Sequence, residues 1–233
     1  MDECILDLKN VNKNGFLDCA CILNDDNKNY IITCNHNKKG DADPIKIFDF
    51  KGKKIQEIKN SNENTTILYI YRDEISYQKF ILAGNSGNIK SYIYNENNFE
   101  LYKEYKDDFS ILSHRSIIIF KQEDITKLIE SSIDGAIRIW NFHSSQLLNI
   151  IYFFEYICYL YGIYLWNSNN LIIGCSDKTI KILNLKELKV DKSLVCHQNE
   201  VNTIKKINHP KYGECLITRA RFEGQIKMWI KDN

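Results

Sequence analysis

Ser131-Ser132-Ile133-Asp134-Gly135-Ala136-Ile137-Arg138-Ile139-Trp140-Asn141 sets an Asp-Gly pair between two apolar runs, Lys127 to Ser131 and Ala136 to Trp140. Asp-Gly is favoured in two-residue hairpin turns, where both central residues take positive φ. The stretch predicts two antiparallel strands joined tightly at Asp134.

The same grammar recurs. Ile45-Lys46-Ile47-Phe48, Ile89-Lys90-Ser91-Tyr92, Ile137-Arg138-Ile139-Trp140, Ile180-Lys181-Ile182-Leu183 and Ile226-Lys227-Met228-Trp229 each open on isoleucine and a basic residue and carry a large apolar residue fourth. The intervals between successive isoleucines are 44, 48, 43 and 46 residues, close to the roughly 40 to 45 of a four-stranded propeller blade. A β-rich run precedes each segment, a third lies upstream, and a fourth follows where the chain continues. The third unit reads as strands at Ser116 to Phe120, Lys127 to Ser131, Ala136 to Asn141 and Gln146 to Tyr152. The fifth has three, Val201 to Ile207, Glu214 to Thr218 and Gln225 to Ile230, and the N-terminal run Glu3 to Lys9 reads as the outer strand that completes it, leaving no sheet edge unpaired.

The central runs, such as Ile81-Leu82-Ala83-Gly84 and Leu171-Ile172-Ile173-Gly174, do not alternate, which implies burial on both faces. A parallel α/β sheet would also bury them but needs amphipathic helices between strands. The connections here are short and rich in Asn, Asp and Lys. The fold class is therefore all-β, a β-propeller of about five four-stranded blades, with residues 1–233 as one domain.

Composition narrows the partners. With 31 basic and 30 acidic residues, the formal net charge is +1, which argues against a nucleic-acid or membrane partner held by bulk charge. Heavy use of Asn and Lys is read as the bias of an A+T-rich genome. The acidic start Met1-Asp2-Glu3 is not followed by a long apolar run, so no secretory signal is read and the protein is expected inside the cell, in the cytoplasm or nucleus. Its 8 cysteines lie mostly in strands and are expected as buried thiols. The apolar stretch Ile150 to Trp166 falls short of the roughly 20 residues of a membrane helix and carries Glu155 near its centre. Two buried strands joined at Glu155 explain it better.

These residues resemble the WD-repeat (WD40) family along nearly the whole chain. The third unit matches best: His114 stands before the first strand, Ser132 late in the second, Asp134 at the hairpin, and Trp140-Asn141 at the end of the third. The resemblance implies a structural network of His114, Ser132, Asp134 and Trp140, in which a carboxylate fixes the imidazole and a hydroxyl accepts from the indole N–H. The other units depart from the pattern. The fifth has His197 and Trp229, but Glu223-Gly224 follows an enlarged turn, which is expected to keep Thr218 out of its network. The fourth has Ser176-Asp177-Lys178 with Leu183 in place of Trp. Five units are counted where the family usually has seven, so the ring is small or open, the chain is part of a longer ancestral sequence, or unrecognised partners complete it.

No catalytic, cofactor-binding or metal site is read. His114, Asp134 and Ser132 superficially suggest a triad, yet they sit where the structural network is expected. Cys19-Ala20-Cys21, Cys34-Asn35-His36 and Cys196-His197 lack the spacing of a tetrahedral metal site. Gly84-Asn85-Ser86-Gly87 lacks the lysine of a phosphate loop and reads as a hairpin turn. Asn64-Thr65-Thr66 matches a glycosylation acceptor by accident. Trp140-Asn141-Phe142-His143 lacks the Trp-Asp-x-Arg ending common in cullin-type ligase receptors.

By the family's topology, loops from neighbouring blades share one surface. It would gather Phe153, Phe154, Tyr156, His197, Arg219, Arg221 and Phe222, and aromatics with arginine are enriched at interface hot spots. The expected function is a non-catalytic scaffold for protein partners. The alternatives are a structural subunit whose ring another chain completes, and an enzyme using the central channel, for which the innermost strands hold little beyond Asp18.

Overall fold

The computed structural model describes residues 15–25, 28–37, 44–59, 65–95, 98–108, 114–153 and 158–230, with side chains from residue 19 onward and without those of 35–37. The expected strand at 3–9 lies outside them, as do Glu155 and most of the polar hairpin at 35–43. Every described element is a strand or a connection between strands, and the contacts divide the chain into two units, Met1–His114 and Arg115–Asn233.

In the first unit, β1 (Gly15–Asp25), β2 (Lys28–Asn37), β3 (Ile45–Asp49) and β4 (Lys54–Ile58) form one antiparallel sheet in chain order. A second sheet follows from β5 (Ile67–Arg72), β6 (Lys79–Gly84), β7 (Asn88–Asn95) and β8 (Asn98–Lys106). Ile32, Ile45, Ile47, Ile81, Ala83 and Tyr92 lie in one core drawn from both sheets. Gln56 on β4 ties them again: its amide donates to the Phe99 carbonyl and accepts from the Phe99 N–H, both at 3.0 Å.

The second unit holds three sheets. They are β9 (His114–Gln122), β10 (Ile125–Ser132), β11 (Ala136–Asn141) and β12 (Leu147–Tyr152), then β13 (Leu160–Asn167), β14 (Asn170–Cys175), β15 (Thr179–Asn184) and β16 (Lys189–Val195), then β17 (Val201–His209), β18 (Gly213–Ala220) and β19 (Ile226–Ile230). Among the described residues the last sheet has three strands. The sheets pack through buried side chains, Ile129, Ile137 and Ile139 with Leu160, Ile173 and Leu183, and Ile172 and Ile180 with Val201, Ile204 and Leu216.

The central strands are buried as their continuous runs predict: β6 throughout and β14 from Leu171 to Cys175, whereas β16 is exposed at all but Leu194. Four sheets share one irregularity. The register between third and fourth strands shifts at Ile47/Phe48, Ser91/Tyr92, Ile139/Trp140 and Ile182/Leu183, each time between the third and fourth residues of the isoleucine-basic segment. A bulge here bends the outer strand and strengthens the local twist.

The hairpin at Asp134 differs from the two-residue turn expected. Ser131 pairs with Ile137, Gly135 N–H donates to the Ser132 carbonyl at 3.2 Å, and Gly135, at φ 80°, is the turn residue with positive φ. This is a three-residue loop of Ile133, Asp134 and Gly135, in which a glycine ends the turn in the left-handed region. Asp134 thus keeps ordinary φ, and its carboxylate accepts from Ala136 N–H at 3.0 Å. In the next sheet Lys178, at φ 73°, holds the glycine's place.

Candidate functional site

In the second unit the hairpin turns and the connections between sheets form one band. Phe153 N–H donates to the Gly135 carbonyl at 3.0 Å, and the N–H groups of Cys196 and His197 to the Lys178 carbonyl at 3.3 and 3.4 Å. Lys227 Nζ donates to the Cys196 carbonyl at 2.6 Å, and Arg221 N–H to the Glu200 carbonyl at 2.9 Å. The turns of the third and fourth sheets are thereby fastened to the chain entering the next sheet, and the turn of the fifth to the chain entering its own.

A continuous brace lies in the fifth sheet, where Thr218 does reach the network. Trp229 Nε1 donates to Thr218 Oγ1 at 2.9 Å, that oxygen lies 2.8 Å from His197 Nε2, and His197 Nδ1 lies 2.7 Å from Glu223 Oε2. Glu223 Oε1 accepts from the N–H groups of Gln198 and Asn199. The enlarged turn, Arg221 to Gln225, sets the carboxylate's backbone back, and glutamate's extra methylene restores the reach. Hydrogen bonding to His197 holds the Glu223 carboxyl below the usual carboxylate range, against a smaller opposing effect of burial. His197, expected at the surface, is buried.

In the third sheet Trp140, Ser132 and His114 are buried. His114 ends the first unit, where its N–H donates to the Asn85 carbonyl at 3.4 Å and its carbonyl accepts from Thr66 Oγ1 at 3.1 Å. Asp134 takes a partner that the repeat pattern did not indicate: Arg138 Nη2 donates to its Oδ2 at 2.6 Å. The Arg138 side chain is fully buried, with Glu130 also nearby at 3.8 Å. Lys181 Nζ reaches Asp177 Oδ2 in the same way at 2.8 Å, again four residues back. The basic residue of each isoleucine-basic pair was the available signal. Its target could not be read because the contact depends on the chain folding back at the turn.

Asparagine also has a local purpose that composition concealed. Asn141 Oδ1 accepts from His143 and Ser144 N–H groups, both at 3.0 Å, and Asn184 Oδ1 accepts from Lys186 and Glu187 at 3.0 and 3.1 Å. Asp49 accepts in the same manner from Lys51 and Lys53. An amide oxygen thus replaces the carboxylate that usually follows the tryptophan, since accepting backbone N–H groups needs only a carbonyl-type oxygen.

Of the expected contact residues, Arg219 and Arg221 are exposed and Phe222 is 84% exposed. Arg221 lies over the Phe222 ring at 4.9 Å and 3.6 Å from Glu200. Phe153 is half-buried against the core. Phe154 and Tyr156 lie outside the described residues. A cleft of about 530 Å³ opens between the fourth and fifth sheets, lined by Trp166, Ile172, Ile180, Leu194 and Trp229. A separate cluster brings Cys158, Cys175 and Asp177 together. Hydrogen bonding from Cys175 lowers the Cys158 thiol to about 7 and raises that of Cys175.

No family model matches the chain. Over 121 residues, 52% of the chain, it is 24% identical to the U3 small nucleolar RNA-associated protein 21 homolog of Schizosaccharomyces pombe, a match covering 13% of that protein. The WD40 β-propeller domain of Doa1 superposes with a TM-score of 0.66 at 14% identity, covering 91% of this chain and 63% of that one. The computationally designed Ika8 protein gives a TM-score of 0.62 at 17% identity, covering 90% of this chain and 57% of that one. The chain therefore spans less than two thirds of the length of each of these three proteins. With its described sheets, its repeat period and this likeness along nine tenths of its length, the chain has the fold of a WD40 β-propeller.

Proposed function

We propose that the protein is a non-catalytic scaffold for protein partners inside the cell, residues 1–233 acting as one WD-repeat domain. The observation that carries this reading is the Arg221-Phe222 pair, held out from the face by a rigid brace. Phe222 sits at φ 61°, a costly conformation for an aromatic residue, and is 84% exposed. Its turn is fixed from behind by the Glu223 contacts to His197, Gln198 and Asn199. An exposed aromatic beside arginine, on a preorganised turn, is the kind of anchor that dominates protein interfaces. To His114, Ser132, Asp134 and Trp140 we assign a structural rather than a catalytic role.

The test is a comparison of native-cell partners captured by the wild type and by a Phe222→Ala/Arg221→Glu variant with an unchanged melting temperature. Loss of one or more specific partners supports the reading. Retention of every partner counts against this face as the contact surface.

A further inference from the structure

Folding, rather than sequence spacing, brings two thiols together in the fourth sheet. Cys158 stands two residues before β13, and Cys175 ends β14. Leu160 pairs with Cys175. Beyond that pair, Ser176 N–H donates to the Tyr159 carbonyl at 3.0 Å and Tyr159 N–H donates to Ser176 Oγ at 2.9 Å. These bonds continue the ladder and set Cys158 beside Asp177. As a result both sulfurs and a carboxylate oxygen of Asp177 lie within 4.8 Å of one another. The thiols are buried and Asp177 is exposed, so the cluster has an apolar floor and a polar mouth.

We propose that Cys158, Cys175 and Asp177 bind a soft divalent cation of the zinc class, with water as the fourth ligand. Tetrahedral zinc has Zn–S distances of about 2.3 Å, which puts the donor atoms about 3.8 Å apart. The cluster needs to contract by at most about one ångström to meet that geometry. Two thiolates with one carboxylate are a donor set suited to zinc.

The surroundings fit the charge. Lys181 Nζ, 2.8 Å from Asp177 Oδ2, balances the one negative charge that two thiolates and a carboxylate carry beyond the charge of a divalent ion. Thr179 donates to Asp177 Oδ1 from both its N–H, at 3.1 Å, and its hydroxyl, at 2.5 Å. It thereby orients the carboxylate, as outer partners of metal ligands do. With Lys181 these use three of the carboxylate's roughly four acceptor positions, and one remains for a metal.

The experiment uses the full chain, reduced with a phosphine and stripped of metal, with cobalt(II) as the probe. The expected result is one equivalent of cobalt giving a thiolate-to-metal charge-transfer band in the near ultraviolet and the visible bands of a tetrahedral site, all abolished by zinc. Cys158→Ser and Cys175→Ser should each weaken that band, Asp177→Asn should weaken binding at least about tenfold, and Cys19→Ser should leave both unchanged. Absence of the band in wild type, or its persistence in both cysteine variants, overturns the proposal. Carbamidomethylation of the wild type, read by peptide mass, gives a result that does not depend on variants folding: zinc should slow alkylation of Cys158 and Cys175 and leave Cys19 unaffected. Equal rates with and without zinc overturn the site, as does recovery of the two cysteines as a disulfide whose reduced form takes up no cobalt.

Discussion

Glu223 stands where the repeat pattern puts aspartate, and its bonds to His197, Gln198 and Asn199 make it the anchor of the fifth turn. Its carboxyl ionises more readily folded than unfolded, so the folded state binds the proton less tightly and this contribution is complete above the ordinary carboxyl pKa of about 4.3. The contribution is lost as pH falls through the lower, folded value. The difference in melting temperature between wild type and Glu223→Gln should therefore be constant above about pH 5.5 and shrink below it, and a difference independent of pH would count against the assignment. Lys178 offers the opposite change. It holds a left-handed φ of 73° where the third sheet has Gly135, and glycine adopts that conformation without steric cost. Lys178→Gly should stabilise the protein by about 0.5 to 1 kcal/mol in urea unfolding. A loss of stability would mean that the lysine side chain contributes more than the strain it imposes.

Elements are held together by close approach and by buried charge, and neither is visible in a single strand. A Cβ on Gly174 of β14 would lie 2.4 Å from the Val201 carbonyl oxygen of β17, a backbone atom that cannot give way without moving the fifth sheet. Gly174→Ala should cost about 3 kcal/mol in chemical unfolding, and a near-neutral result would show that the sheets can separate freely. Arg138 of β11 is fully buried between Glu130 and Asp134, so Arg138→Ala leaves carboxylates without their cation and should cost about 3 to 5 kcal/mol in the same assay. Strand positions were legible because the period and the continuous apolar runs are properties of sequence alone: Ala136–Asn141 matches the expected strand, and Gly213–Ala220 contains the expected run Glu214 to Thr218. The three-residue loop at Asp134 was not, since Asp-Gly serves more than one turn type. Nor was the fifth brace, because a shifted turn and a longer acidic side chain compensate only in three dimensions. Cys158 and Cys175 meet across a hairpin, so no short motif could announce them.

For the molecule as a whole, the seven described cysteines are free thiols, five of them buried, and packing rather than cross-linking joins the sheets of each unit. Melting temperatures of metal-free protein with and without a phosphine reductant should coincide, and a drop on reduction would reveal a disulfide that contributes to stability. The bulge repeated in four sheets has a further consequence, for any strand that adds to β19. The isoleucine-basic segment Ile226 to Trp229 has the same order as the other four, so the same step is expected between Met228 and Trp229. A newcomer in uniform register would satisfy one half of this edge and turn the wrong face inward along the other, because a slip of one residue reverses every side chain. Among the described residues β19 has a single strand neighbour, and a strand added there would be expected to break the phase of its apolar alternation once, opposite Trp229, unlike the regular alternation typical of strands that aggregate.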